Sequence, residues 1–376
     1  MITALTVSNF RSLGENVTLR LGRLTVLVGQ NGSGKSNVIN ALRFVADAMQ
    51  MGLSGALTQH NGIAAVRRWS RGHPYNVAFD LSLALADGHA RYSFELVGDS
   101  AQEYRVKSER ADILSGTARF SIRVERGTWA EGPENLRPPI DDRNLALPLV
   151  GGDVRFRPLL EGLRGVAVYS IFPDTLGTPQ AYSPARPMDR HGRNWASVLR
   201  DQPEETWKAE LLAAMRKLSG DFEDVMIQPA ANLLVVRFRH ASPERKPKWF
   251  DAGQESDGTL RVAGIVTALL QEPPVPVIGI EEPELTVHPG AIGLLYDHLV
   301  QASKRSQVVV TTHSPDLLDL VSEDDVRVVA RVVDGCTTVA PLAHAQRDAV
   351  RSRLMTLGDV LRTEGLQQEM SFPPQD

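Results

Sequence analysis

The sequence predicts an α/β fold with a largely parallel sheet at its core, and three observations carry that expectation. The apolar run Leu24–Val28 leads into Gly29-Gln30-Asn31-Gly32-Ser33-Gly34-Lys35-Ser36 and then into Asn37-Val38-Ile39-Asn40-Ala41-Leu42, which reads as strand, glycine-rich loop and helix. From Ser256 onward the pattern runs helix, strand (275–280), helix (290–302), strand (307–311), the alternation of a parallel α/β core. Between these two stretches the texture changes to period-two alternation, as in Val77-Ala78-Phe79-Asp80-Leu81-Ser82-Leu83, which reads as an antiparallel sheet.

Residues 2–28 read as two short strands around a turn at 9–16, the second feeding the glycine loop. A helix over 36–48 follows, with Val38, Ile39, Leu42, Val45 and Ala46 at helical spacing. Segments 92–96 and 120–124 join 77–83 in the antiparallel pattern, with Asp87-Gly88 as a turn. The stretches 127–152 and 173–187, rich in Pro and Gly, read as loop. Helix is expected over 195–218 with a break at Gln202-Pro203, and strand over 232–238.

The bulk numbers exclude several classes. With 376 residues, 42% hydrophobic and 23% charged, the chain can bury a sizeable core. A net charge of −4 argues against a protein coated in nucleic acid. One cysteine, Cys336, forbids an internal disulfide and suits a reducing compartment. No apolar run approaches the ~20 residues of a membrane span, and no signal peptide is evident, so a cytoplasmic protein without a membrane partner is expected.

The loop matches G-x-x-x-x-G-K-S in full. Its glycines allow backbone N–H groups to turn onto phosphate oxygens, and the helix adds the positive end of its dipole. In this motif Lys35 reaches the terminal phosphates and Ser36 ligates magnesium, so ATP and Mg2+ are the expected ligands. The run Pro276–Ile280 ends in Glu281-Glu282-Pro283-Glu284; such a strand is expected beside the loop strand, with Glu281 holding the metal and Glu282 polarising the attacking water. His313 follows the next apolar strand, where an imidazole can bond a γ-phosphate or the attacking water. Ser256-Asp257-Gly258-Thr259 is, by itself, a capped helix start.

These motifs, in this order, resemble the ATP-binding-cassette (ABC) ATPase heads of the SMC, RecF and OLD group. The opening Ser8-Asn9-Phe10-Arg11-Ser12-Leu13, the extension to Ser36-Asn37, Asp257-Gly258-Thr259-Leu260-Arg261, Thr311-Thr312-His313-Ser314-Pro315 and Leu357-Gly358-Asp359 are similar to small stand-alone AAA-family ATPases of that group. The resemblance implies a P-loop ATPase of ABC type: a mixed sheet core from both chain ends (1–75 and 256–376), an inserted antiparallel lobe with loops (76–170) and a helical lobe with connecting segments (171–255). It implies nucleotide contacts from Gly29 through Asn37 and from Arg11. It also implies a homodimer formed on ATP, with Ser256, Asp257 and Gly258 presented in trans, Glu282 as base and His313 as γ-phosphate sensor.

Glu281 stands where the group usually has Asp, which can slow hydrolysis. Gln180 is the candidate for the glutamine loop. Too little chain follows His313 for the Toprim nuclease domain of OLD proteins, so nuclease chemistry is not expected of this chain. Two basic clusters, Arg67-Arg68-Trp69-Ser70-Arg71 and Arg237, Arg239, His240, Arg245, Lys246, Lys248, could contact DNA phosphates, or be solvated faces. Arg186, Arg190, His191, Arg193 and Asn194 could contact nucleotide, DNA or nothing. Histidines 60, 73, 89 and 344 show no metal-ligand spacing. Action on DNA in repair or phage defence is one functional reading; a slow nucleotide switch governing a separate effector protein is the other.

Overall fold

A computed structural model describes residues 1–241, 248–332 and 334–369. Along the chain come β1 (Ile2–Ser8), β2 (Val17–Arg20) and β3 (Leu24–Val28), then α1 (Lys35–Gln59) and α2 (Ile63–Val66). A meander follows: β4 (Val77–Leu85), β5 (Gly88–Val97), β6 (Arg105–Ser115), β7 (Ala118–Glu125) and β8 (Thr128–Glu131). Next are α3 (Leu147–Val150), α4 (Arg157–Arg164), β9 (Val166–Tyr169), α5 (Pro173–Gly177), β10 (Gln180–Ala181), α6 (Trp195–Asp201) and α7 (Glu204–Leu218). The strands β11 (Phe222–Ala230), β12 (Leu233–His240) and β13 (Lys248–Asp251) precede α8 (Asp257–Leu269), β14 (Val277–Glu281), α9 (Ile292–Ser303), β15 (Gln307–Thr312) and α10 (Pro315–Leu318). The last elements are β16 (Val326–Arg331), β17 (Thr337–Pro341), α11 (His344–Arg351) and α12 (Leu357–Thr363).

Six strands form the core sheet in the order β17-β16-β3-β15-β14-β9, parallel except for β17 at the edge. Every residue of β3, β14 and β15 is buried, as a strand covered on both faces requires. Alternate side chains go to different layers. Leu27, Val168, Val277 and Val309 pack with α1 and the antiparallel sheet. Val26, Val28, Ile278, Ile280, Val308 and Val310 pack with α7, α8 and α9. All the parallel strands end on one edge, where ligands of open α/β sheets bind.

The sheets differ from the sequence expectation in four ways. β15 lies between β3 and β14, so the acidic strand is not beside the loop strand; the parallel crossover through α9 returns to that side and takes the adjacent place. The acids still reach the loop because both strands end on the same edge. The 2–28 segment holds three strands, not two, because the chain leaves the sheet at Leu21-Gly22-Arg23. Strands β1 and β2 belong to the seven-stranded antiparallel sheet, order β2-β1-β4-β5-β6-β7-β8, which therefore begins well before residue 76, while β9, drawn with that lobe, is a core strand. Lastly, the 171–255 region is not simply helical: β12 pairs with β11 along one edge and with β10 and β13 along the other. The stretches read as loop contain β8, α3, α5 and β10, elements of two to five residues, too short to show a period.

Candidate functional site

The glycine loop closes tightly around its own backbone. Gly32 (φ 76°) and Gly34 (φ 105°) take left-handed conformations that side chains disfavour. A Cβ on Gly29 would collide with the Val329 carbonyl oxygen, and one on Gly34 with the Thr337 hydroxyl. Helix α1 opens with Gly34 as its cap, no side-chain cap and no acid in its first turn, so its first N–H groups face outward unsatisfied by side chains. Lys35 is buried, and its Nζ donates to the carbonyls of Gly29 (2.7 Å) and Gln30 (3.2 Å) without a carboxylate. Burial lowers its basicity, opposed by the charges of Glu282 and Glu284. Ser33 Oγ is buried with no partner among the described residues. A buried ammonium, an uncapped helix start and an orphaned hydroxyl together fit a triphosphate.

A bracket lies behind the loop that sequence reasoning missed. Thr337 Oγ1 donates to the Ser33 carbonyl at 2.7 Å and lies 2.7 Å from Ser12 Oγ, which accepts from Asn37 Nδ2 at 2.8 Å. The Asn37 side chain, expected on the nucleotide, thus braces the loop from behind. Gln30, Asn31, Gly32 and Ser36 are exposed. The 650 Å³ cavity beside the loop is closed opposite Gly29–Ser33 by Val328–Arg331, Leu361 and Gly365.

At the end of β14, Glu281 is paired in register with Thr311 and its carboxylate is held by Arg190. Glu282 follows in a left-handed conformation (φ 46°), fixed by its N–H on the Thr311 carbonyl at 2.9 Å. This turn aims the Glu282 carboxylate at His313, whose Nδ1 lies 3.3 Å from Oε1. Glu284 Oε1 accepts from Thr312 Oγ1 (2.6 Å) and the His313 N–H (3.3 Å), which sets the imidazole's place; the Glu284 Oε2 is buried without a partner among the described residues. Glu282, His313 and the loop lysine therefore meet at one edge of the sheet, an arrangement that can polarise a water against a phosphate.

The donors suit magnesium better than a metal caged by protein. Among the described residues no group of three His, Cys, Asp or Glu side chains could hold an ion. Mg2+ typically takes one or two carboxylates plus substrate phosphates and waters, and Ser36 with Glu281 would supply that share.

Ser256 caps α8, its Oγ accepting the Thr259 N–H at 3.2 Å, and Gly258 lets the helix start approach the Thr286 carbonyl, 2.7 Å from where a Cβ would sit. Residues 256–259 line a 520 Å³ groove with Thr286–His288, Gly290 and Ala291; this groove shares no lining residue with the cavity at the glycine loop. Arg261, one turn on, is buried and donates to the carbonyls of Ile171 (2.7 Å) and Glu282 (2.8 Å), with Glu281 at 3.4 Å. It ties the capped helix to the acidic strand; only its adjacency to the Ser-Asp-Gly motif could have flagged it.

Other candidates resolve differently. Gln180 is buried, donating to the carbonyls of Thr175 (3.0 Å) and Gly192 (2.8 Å) and accepting from the Ala196 N–H, so it staples the segment before α6 and is not a nucleotide contact. Arg11, in a left-handed turn (φ 51°), sits 3.3 Å from His60 Nδ1, and His60 bonds Asp47. Burial lowers the basicity of Arg11, and the Arg190 and Arg43 guanidiniums add to this while Glu281 opposes it. Arg67 is buried on the carbonyls of Ser100 and Glu103, and Arg68 lies over the Tyr75 ring and 3.9 Å from Asp334, leaving Arg71 and the exposed Trp69 of that cluster. In the second cluster Arg237 pairs with Asp251 (2.7 Å), Arg239 with Glu223 (3.2 Å), and His240 bridges Asp221 and Glu255 (2.9 Å each). These charges are already matched; Arg245 and Lys246 lie outside the described residues.

Comparison with known proteins follows the same lines. The model of the AAA_21 family, described as "AAA domain, putative AbiEii toxin, Type IV TA system", matches residues 24–175 and 190–319. The chain belongs to this family. The match takes in the glycine loop, Glu281, Glu282 and His313. An OLD nuclease of Thermus scotoductus is 25% identical over 389 aligned positions, covering 97% of this chain and 70% of that protein. A chromosome partition protein Smc of Desulfitobacterium hafniense is 49% identical over 45 residues, 12% of this chain and 4% of that one. An Smc head solved with the C-terminal winged-helix domain of ScpA aligns with TM-score 0.57 over 92% of this chain and 98% of its own, at 14% identity. An Smc head with an extended coiled coil, bound to the C-terminal domain of ScpA derived from Pyrococcus furiosus, aligns equally well, with TM-score 0.57 over 94% and 99%, at 12% identity. This AAA_21 protein therefore has the ABC-type ATPase head fold of the SMC, RecF and OLD group. No helix among the described residues is long and apolar enough to cross a membrane.

Proposed function

We propose that this AAA_21 protein binds Mg·ATP at Gly29–Ser36 and hydrolyses it, with Glu282 as the general base, His313 as the γ-phosphate sensor and Ser36 and Glu281 as the metal's protein ligands. The observation that carries the reading is the Glu282–His313 pair at 3.3 Å on the same sheet edge as a buried Lys35 that has no carboxylate partner. Magnesium would supply charge neutralisation between the phosphates. Glu282 accepts the proton of the attacking water, and His313 holds its place through Glu284 and Thr312. The family to which the chain belongs, and the OLD and Smc relatives, support ATP as the nucleotide.

Two heads would close on ATP, each presenting Ser256, Asp257 and Gly258 to the other's γ-phosphate. Residues 256–258 and the glycine loop line different cavities of one chain, an arrangement that accords with action in trans. The proteins named OLD nuclease and Smc favour work on DNA, in repair or defence against phage. The second reading, a slow switch that holds a separate effector, is favoured by Glu281 in place of Asp and by its engagement with Arg190. Phosphate release from ATP, with and without duplex DNA and with Lys35→Ala as the blank, separates the two. Stimulation by DNA that vanishes in Lys35→Ala supports the DNA enzyme. Slow turnover indifferent to DNA supports the switch, and no turnover above Lys35→Ala refutes the ATPase reading.

A further inference from the structure

The segment between β10 and α6 carries a basic side chain into the acidic end of β14. Its backbone is fixed from several sides. The Arg190 carbonyl accepts the Ser170 N–H at 2.9 Å, His191 Nδ1 lies 2.8 Å from the Ser170 carbonyl oxygen, and Asp189 Oδ1 accepts the N–H groups of His191 (3.0 Å) and Arg193 (2.7 Å). From this anchored backbone the guanidinium reaches Glu281 through Nη2. Glu281 is the one acceptor that the Arg190 side chain has among the described residues, and its Nε is buried without a partner.

We propose that Arg190 competes with magnesium for the Glu281 carboxylate and so sets how much magnesium a bound triphosphate requires. The inference rests on the reading of this site as a Mg·ATP site. The Glu281 side chain is only 10% exposed, and the guanidinium lies on its Oε2. A divalent ion taking up that oxygen would meet strong like-charge repulsion from the guanidinium. The hold is also one that can be exchanged: a single guanidinium nitrogen engages the acid, and the fork that makes Arg–carboxylate pairs strong is incomplete because Nε is left bare. Arg11 adds a second guanidinium near the same acid, bonded only to His60 through its side chain among the described residues. Among the described residues Glu281 is the acid that Arg190 pairs with, and the guanidinium offsets the charge of that metal-side carboxylate.

A fluorescent N-methylanthraniloyl-ATP, titrated with magnesium chloride at fixed nucleotide, reads the requirement without turnover. Arg190→Ala is expected to lower the half-saturating magnesium concentration about five- to tenfold, the effect of removing a competing, partly buried cation, with Arg190→Lys between it and the native chain. An unchanged or raised requirement in Arg190→Ala overturns the proposal, since a purely structural arginine would alter melting temperature and leave the magnesium curve alone. Should Arg190→Ala melt below the assay temperature, Arg190→Gln, which keeps the bulk, carries the same comparison. Failure of the native chain to bind the analogue at any magnesium concentration overturns the nucleotide reading itself, a result distinct from binding that Arg190 does not modulate.

Discussion

Arg261→Ala is the substitution whose consequence the structure determines most fully. The guanidinium is 5% exposed and makes two well-formed bonds, to Ile171 and Glu282 carbonyls at 2.7 and 2.8 Å, with a longer one to Glu281 at 3.4 Å. Burial lowers its basicity, while the nearby Glu284 and Glu282 carboxylates keep the charge supported. A hydrogen bond from a charged donor is worth about 1.5–3 kcal/mol, and alanine leaves both acceptors behind without replacing the donor. Counting the two short bonds, and allowing water to reach part of the vacated space, the loss is about 3–4 kcal/mol. For a chain of 376 residues, with an unfolding entropy of about 2.1 cal/mol/K per residue, that lowers the melting temperature by roughly 4–5 °C. The functional effect should be uneven. The Glu282 carbonyl loses its tether, so turnover falls more than nucleotide affinity, since Lys35 and the glycine loop are untouched. Differential scanning calorimetry and phosphate release on one preparation measure both. A melting temperature within about 1 °C of the native value would refute the reasoning, because it would mean that these carbonyls do not depend on the guanidinium.

Other outcomes are equally specific. Gly34→Ala forces a side chain into a φ of 105° and onto the Thr337 hydroxyl, so nucleotide binding should be lost by about a hundredfold or more in an equilibrium titration, with global folding retained by circular dichroism. Glu109→Ala should destabilise by about 3–5 kcal/mol in urea unfolding, because the buried carboxylate accepts from Tyr92 (2.8 Å), Leu147 (2.9 Å) and Ala146, and all three donors would be orphaned. His240 is held between Glu255 and Asp221; burial works against its protonation, but the hydrogen bonds to the two carboxylates outweigh it and raise its pKa. A raised pKa means that the stabilisation is fully present below the unfolded value of about 6.5 and fades as pH rises through the folded value. Native protein should therefore lose melting temperature above about pH 6.5 relative to His240→Gln, and parallel curves for the two would contradict this.

The site was legible where chemistry demands fixed residue types at fixed spacing. Gly29 through Ser36, Glu282 and His313 each had to lie at the end of a buried strand or the start of a helix, and they do. The fold class was legible for the same reason: β3, β14 and β15 are continuous apolar runs, while β4 and β5 alternate. Strand order was not, because apolar runs do not say which neighbour they pair with; the interposed β15 follows from the crossover through α9. Nor was the membership of β1 and β2 in the antiparallel sheet, which depends on pairing with β4 more than seventy residues away. Arg261 and Thr337 had no role in the sequence because each is placed by a contact distant in sequence, with Glu282 and Ser33, and Arg190, one of several residues left open between nucleotide, DNA and nothing, is assigned only by its contact with Glu281. The basic stretch at 237–240, left open in the sequence between a DNA contact and a solvated face, is matched by acids distant in sequence, from β11, β13 and the turn before α8.

The central claim is that Glu282 activates the water that attacks ATP held at the glycine loop. Steady-state phosphate release by Glu282→Gln, on protein shown to bind the nucleotide as tightly as the native chain, tests it most directly. The account predicts a fall of about a hundredfold to ten-thousandfold in turnover with affinity retained, the loss expected of a general base. Turnover within about twofold of native would contradict it and remove Glu282 from the chemistry.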